Sequence, residues 1–360
     1  MFAKYYNLSI TRNYVNAWGI GEACREVIQN ALDSASPFVF EFIRSEDGNE
    51  FTLRLRSEFS ELSPKTLLLG ASSKQDDPDS IGSFGEGYKI ALLVLTRLGK
   101  RVEIWNGKLL WTPRFRMDKT FGEEVLAIEE EKLDFQHTGL TYNIHGLTES
   151  EVELIRMSCL KMQSDIGEVR RVAKGEILVN RPGMLYVGSL FVCDTGLDFG
   201  YNIKPEFIKL ERDRQTVSDW DLKLLTKDMH IEYGDFKELS ELVSRESPDT
   251  EYVRYGSNSL VKEACYQHFI AAHPGKVIAA NDKELQELVK RGMTVYVGGS
   301  SYYSQVSQSA SYLANVPKLP PAAKPSLVLE EFLKNNRKYL DRVGIVAFKE
   351  LINKSQDWKA

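Results

Sequence analysis

In the segment Gly21–Ser36, Glu26, Asn30 and Asp33 recur about one helical turn apart. At 100° per residue they fall within an arc of about 60°, while Cys24, Val27, Ala31 and Ala35 point the other way. A helix here packs one face and presents two carboxylates and an amide on the other. A carboxylate so placed can take a proton from an attacking water. An amide oxygen one turn on can hold a hard cation such as Mg2+, which keeps several waters and needs only one or two protein ligands. The same stripe is also what an ordinary solvated helix face shows.

Downstream lies GASSKQDDPDSIGSFGEGYKIA, with Gly70, Ser72, Ser73 and Lys74, then Gly82, Gly85 and Gly87 just before a helical run. Glycines at GxxGxG spacing let backbone N–H groups approach an anion, and the helix N-terminus adds unpaired donors and the positive end of its dipole. The pattern suits a triphosphate. It is neither the dinucleotide-binding GxGxxG, for which no strand precedes it, nor a loop completed by GK[ST]. A glycine cluster of this kind also serves as a plain flexible loop.

These residues need elements to position them. Apolar periodicity predicts a helix from Gly21 to about Ser36, stopped by Pro37. FVFEFIRSEDGNEFTLRLR reads as strand, turn at Asp47-Gly48, and strand. YKIALLVLTRLGK reads as a buried helix ending at Gly99. RVEIW, Asn106-Gly107 and KLLWTPRF form a hairpin, and HTGLTYNIHGL supplies a further strand that closes an α+β unit near residue 150. Residues 151–174 read as helical, GEILVNRPGMLYVGSLFVC as strands broken at Arg181-Pro182-Gly183, and Ser218 with Asp221 as the start of a helix. A second α+β domain is expected over 151–235. Over 236–360 come a βαβ-like piece (VIAAND, KELQELVKR, TVYVGG), a polar and then proline-rich linker (SSYYSQVSQSASY, VPKLPPAAKPS), and a last helical segment at 327–356.

EVIQNALDSA, GASSK and IGSFGEGYK, in that order, resemble the GHKL ATPase superfamily of gyrase, MutL, MORC proteins, histidine kinases and the ninety-kilodalton heat-shock chaperones. The likeness spans residues 20 to about 147. It implies an α+β Bergerat-type ATP-binding sandwich, a mixed sheet with helices on one face, over residues 1–150. A transducer-like α+β domain over 151–235 and a C-terminal α/β and helical region over 236–360 would follow. It implies ATP and Mg2+ as ligands, slow hydrolysis driving a nucleotide-gated switch, and a homodimer. On the motif positions Glu26 is the general base, Asn30 the Mg2+ ligand and Asp33 a helper. Lid and phosphate contacts fall on Ser72, Ser73, Lys74, Gly82, Gly85, Gly87 and Lys89.

There is one departure. The family's Asp-x-Gly-x-Gly segment, whose aspartate recognises the adenine amino group, corresponds here to Arg56-Ser57-Glu58-Phe59-Ser60-Glu61-Leu62-Ser63. Neither glycine is present, and the base falls to Glu58 from a shifted backbone, or to backbone groups with Thr141, unless Glu58 and Glu61 are ordinary surface carboxylates. In the second domain IKLERDRQTV resembles the chaperone loop whose arginine reaches the γ-phosphate. That makes Arg214 the catalytic cation, with Lys204, Lys209 and Arg212 as neighbours; the alternating Glu211 and Asp213 equally suit a salt-bridged surface loop. Two rival readings stand beside the ATPase: a non-catalytic interaction module of the same fold, and, below it, a DNA-acting enzyme, for which no nuclease or topoisomerase motif is present. The compact size resembles phage-encoded GHKL proteins of the rapid-lysis type.

Composition bounds these readings. With 42% hydrophobic and 27% charged residues the 360-residue chain is neither disordered nor fibrous, and its length suggests two to three domains. A formal charge of −5 argues against a dedicated polyanion or polybasic membrane binder. Cys24, Cys159, Cys193 and Cys265 include no CxxC pair and read as reduced thiols of a cytoplasmic protein, host cytoplasm if phage-encoded. Neither a leader nor an apolar run of about 18 residues is found. Cys265-x-x-His268 lacks a third ligand and reads as packing. The aromatic YYNLSITRNYVNAW reads as an N-terminal strap or dimer contact. A nucleotide, a second copy and an unidentified protein client are the expected partners, with no membrane.

Overall fold

A computed structural model describes residues 4–34, 36–68, 87–120, 122–210, 216–315 and 324–355. The chain divides into two compact units, Met1–Asp235 with Ser247–Val253, and Phe236–Glu246 with Arg254–Ala360.

The first unit begins with β1 (Lys4–Thr11), α1 (Ile20–Leu32), β2 (Val39–Arg44), β3 (Phe51–Ser57), α2 (Gly87–Arg97), β4 (Val102–Asn106), β5 (Leu109–Asp118), β6 (Glu123–Lys132) and β7 (Leu140–Leu147). The strands form one sheet in the order β1-β6-β5-β4-β7-β3-β2, antiparallel at each of these pairings. The β4–β5 turn falls at Asn106-Gly107, where Gly107 takes a φ of 59°, a conformation glycine adopts without a Cβ penalty. The N-terminal segment read as a strap or dimer contact contributes β1, an edge strand of this sheet, where Tyr5 donates to Glu129 at 2.6 Å and lies under Arg116 at 3.7 Å.

Period-2 alternation gives the sheet two unlike faces. Leu53 and Leu55 of β3, Ile104 of β4 and Tyr142 and Ile144 of β7 point to one side and join Val27 and Ile28 of α1 and Leu92, Leu93 and Leu95 of α2 in a single core. Burying each such side chain contributes about 1.5–3 kcal/mol.

A second sheet follows. α3 (Glu149–Met157), capped by Thr148, leads to β8 (Val169–Val172), β9 (Gly175–Leu178), β10 (Met184–Val187), β11 (Leu190–Asp194) and β12 (Gly200–Ile203), in the order β11-β10-β12-β9-β8. Here strand directions are mixed, β10 and β12 running parallel. The helix expected over 151–174 ends at Met157, and 169–172 is a strand. The helix breaks after Ser158, where Cys159 takes an extended backbone (φ −141°, ψ 118°). α4 (Asp219–Tyr233) opens where expected, with the Ser218 hydroxyl accepting from the Asp221 amide at 3.3 Å.

The second unit contains α5 (Phe236–Ser244), α6 (Ser259–Ala272), β13 (Val277–Ala279), α7 (Asp282–Lys290), β14 (Val295–Val297), α8 (Ser300–Ser307), α9 (Ala310–Asn315), α10 (Pro325–Asn336) and α11 (Arg342–Lys354). β13 and β14 pair in parallel around α7, the expected βαβ piece. The stretch read as a polar linker instead folds as α8 and α9, because Tyr302, Gln305 and Val306 recur at helical spacing and are buried. Cys265 is buried, and the His268 ring nitrogen Nδ1 lies 2.8 Å from the Tyr302 hydroxyl. No described helix is long and apolar enough to cross a membrane.

Candidate functional site

α1 carries the first group of candidates. Its N-terminus is closed by the Glu22 carboxylate accepting from the Gly19 amide at 2.9 Å, and it ends at Asp33, whose amide donates to Gln29 at 2.9 Å. Glu26 does not lie on an open polar face as the helical wheel predicts. It is only 3% exposed, and Gln29 only 2%, because α1 packs against α2, α3 and β3 together. Asn30 and Asp33 are half-buried. The Asn30 amide is hydrogen-bonded by no described residue.

Beside Glu26 stands a cation that the sequence reading passed over. Arg25 Nη1 lies 3.8 Å from Glu26 Oε1, and Arg25 Nε donates to the Phe191 carbonyl of β11 at 3.0 Å. Arg25 therefore joins α1 to the second sheet while it offsets the charge of a carboxylate that is nearly out of water. Its adjacency to Glu26 in sequence was the available signal.

α2 supplies the second group. Gly87 opens it, half-buried, and Lys89 is completely buried, with its ammonium donating to the Leu68 carbonyl and lying 5.5 Å from the Tyr88 ring. The Tyr88 hydroxyl donates to the Thr66 carbonyl at 2.6 Å, and burial pushes its pKa up to about 12. α1 and α2 pack side by side on the same sheet face, which brings the helix carrying Glu26 and Asn30 together with the one carrying Gly87 and Lys89. Ser72, Ser73, Lys74, Gly82, Gly85, Arg212 and Arg214 lie outside the described residues.

The base-recognition candidates separate. Glu58 is exposed and pairs with Arg56 at 3.7 Å. Thr141 is buried, but register sets it opposite Arg56 on β3 and Trp105 on β4. These point away from Leu55, Ile104 and Tyr142, so Thr141 lies on the sheet face opposite α1, with its hydroxyl 2.8 Å from His137 Nε2. The structure does not bring Thr141 to Glu26: one residue of register reverses a side chain's face. The β3 residue that does face the helices at this end is Ser57, 5% exposed. The loop after it is held to the end of α1, Phe59 N donating to Ser36 Oγ at 2.9 Å and Ser60 Oγ lying 3.2 Å from Ser34 Oγ. Gly139 leaves no room for a side chain beside the Ser57 and Glu58 carbonyls.

In the second sheet Lys204 is exposed and lines a cavity of about 460 Å³ with Lys161, Arg171, Ser189 and Asn202; Lys209 is exposed on the following segment. No group of three or more metal-ligating His, Cys, Asp or Glu side chains occurs among the described residues. A nucleotide-bound Mg2+ does not need one, since phosphate oxygens and water fill most of its shell and one amide oxygen suffices.

No protein-family model matches the chain. It is similar to an uncharacterized protein of Mycoplasma pneumoniae (strain ATCC 29342 / M129 / Subtype 1), 25% identical over 230 residues, which cover 60% of this chain and 92% of that protein. Among solved structures it has a distant likeness to the B-subunit of the DNA gyrase from Myxococcus xanthus, 9% identical, covering 65% of this chain and 92% of that one, with a TM-score of 0.30.

Proposed function

We propose that the first unit binds ATP with Mg2+ against α1 and α2 and hydrolyses it slowly, as a nucleotide-gated conformational switch working as a dimer. The observation that carries this reading is Glu26. It is a carboxylate only 3% exposed, held beside Arg25 in the middle of an amphipathic helix and one turn before an amide that no described residue engages, a placement that suits a general base next to a metal ligand. The glycine-rich segment leading into α2 supports it, since backbone N–H groups ahead of a helix N-terminus suit phosphate.

In the proposed reaction Glu26 accepts a proton from the attacking water as oxygen bonds to the γ-phosphorus and the bond to the β-phosphate oxygen breaks, leaving ADP and phosphate. Asn30 would hold Mg2+, with Asp33 one turn on as a helper, and the ion would supply positive charge against the negative charge developing on the phosphate oxygens. Lys89 anchors the start of α2, Gly87 lets the backbone approach the phosphates, and Ser72, Ser73, Lys74, Gly82, Gly85 and Arg214 supply the remaining contacts. For the base we assign Ser57, in place of Glu58 and Thr141. A neutral hydroxyl both donates and accepts, so discrimination between adenine and guanine should be weak.

The test is phosphate release under saturating ATP and Mg2+. Glu26→Gln and Glu26→Ala are expected to lose about 10²–10⁴ in turnover, the usual contribution of a general base, while still binding nucleotide. Undiminished turnover in both variants overturns the assignment. The non-catalytic interaction module, which the surface pairing of Glu58 with Arg56 favours, predicts no phosphate release by the parent protein and no stabilisation by any nucleotide.

A further inference from the structure

The last two helices of the second unit leave a face uncovered. α10 and α11 pack on each other, with the Phe332 and Phe348 rings stacked at 5.3 Å. Among the described residues of the pair, Leu333 and Ile352 are the buried hydrophobics. Two such side chains contribute about 1.5–3 kcal/mol each, small against an ordering cost of about 1–2 kcal/mol per residue. On the outer side of α11, Val343 is 76% exposed and Val346 58% exposed. With Ala347, Arg342 and Glu350 they line a shallow hollow of about 460 Å³.

The order of charges along this face says what fits it. Arg342, Val346 and Glu350 follow one another at i, i+4 and i+8, a single stripe on the helix, with Val343 and Ala347 alongside. Neither Arg342 nor Glu350 has an ion-pair partner among the described residues. The stripe runs positive, apolar, negative, and such a stripe complements itself only when reversed.

We propose that α11 docks antiparallel on α11 of a second copy, about a two-fold axis through Val346. Residues equally spaced before and after Val346 then oppose each other. Arg342 of each copy meets Glu350 of the other, and the two valines at 346 meet across the axis. The interface is isologous, as two-fold dimers require. A parallel pairing would set arginine on arginine and glutamate on glutamate, so the charges select the direction. The surface needs no nucleotide and goes beyond the ATPase reading, standing whether or not hydrolysis occurs.

Sedimentation equilibrium of the full chain without nucleotide tests it. The parent protein is expected to be a reversible dimer. Arg342→Glu and Glu350→Arg each replace two attractive contacts by two repulsive ones, and each should weaken dimerisation at least about tenfold. The double variant Arg342→Glu/Glu350→Arg restores the pairing and should return to within about threefold of the parent. Its recovery also shows that neither substitution harms folding. Val346→Glu, which sets like charges across the axis, should abolish the dimer. A parent protein monomeric at about 100 μM, weaker than specific dimers usually are, overturns the proposal. So does a dimer that all these variants leave unchanged, which would place the contact on another face, or a double variant as weak as the singles.

Discussion

The two faces of the seven-stranded sheet are built on opposite principles. On the side away from the helices the central strands carry polar groups, and several of them answer one another. Arg54 Nε donates to Asn143 at 3.1 Å, Trp105 Nε1 to Glu103 at 3.2 Å, Thr52 lies 3.0 Å from His145 Nδ1 and Thr141 lies 2.8 Å from His137. On the side facing α1 and α2 the surroundings are Leu53, Leu55, Ile104 and Tyr142, and into them are set Glu26, Gln29 and Lys89. A polar group on the first face is matched by cross-strand neighbours at little cost. A charge on the second has been taken out of water and must be held by specific partners. The difference teaches where chemistry can be expected: charge held among apolar walls acts in a low dielectric, where it is strong.

The comparison can be broken by substitution. Leu53→Ala, on the helix side of β3, should lower the free energy of unfolding by about 2–5 kcal/mol, as cavity formation in a core does. Arg54→Ala, one residue along and facing outward, should cost about 0–1 kcal/mol, the range of exposed ion pairs. Urea denaturation of both variants reads the difference, and equal costs would mean that the faces are not distinct.

Acid separates the faces further. Burial opposes ionisation of Glu103, but its hydrogen bond from Trp105 and the charges of Arg101 and His145 outweigh that, and its pKa is lowered. A lowered folded pKa gives stability that is present above the unfolded value and is lost as pH falls through the folded one. Melting temperature should therefore fall below about pH 4, the ordinary carboxylate range, and Glu103→Gln should fall less over the same interval while starting lower at pH 7. A variant with the parent's acid profile would remove Glu103 from the account. The smallest effect is expected at Thr141. Thr141→Ala should leave nucleotide affinity within about twofold of the parent, well under the 1.4 kcal/mol of a tenfold change; a tenfold loss would return it to the base site.

Several of these features can be read directly in the sequence. The stripe of Cys24, Val27, Ile28 and Ala31 marks α1, although the helix ends at Leu32 rather than near Ser36; Asn106-Gly107 marks the hairpin, and the order of motifs singles out Glu26, Asn30, Gly87 and Lys89. What escaped is what depends on more than one element. A helical wheel gives directions but not how many neighbours cover them, so the burial of Glu26 among α2, α3 and β3 was hidden. The face of Thr141 depends on its register with Arg56 and Trp105, which no single strand contains. Ser57, the residue proposed above for the base, was not among the candidates because the motif was sought as a carboxylate. The helices α8 and α9 are polar in composition and helical only through the spacing of Tyr302, Gln305 and Val306.

The central claim is that the helix-covered side of the first sheet holds a magnesium-bound nucleotide. A thermal-shift titration of the parent protein with ATP tests it most directly, run with Mg2+ and with the metal chelated, alongside Asn30→Ala. A ligand at a hundred times its Kd adds about 2.7 kcal/mol to apparent stability, so a rise of several degrees is expected with ATP and Mg2+, much reduced by chelation or by Asn30→Ala. No stabilisation of the parent by ATP, ADP or GTP at any Mg2+ concentration would contradict the account.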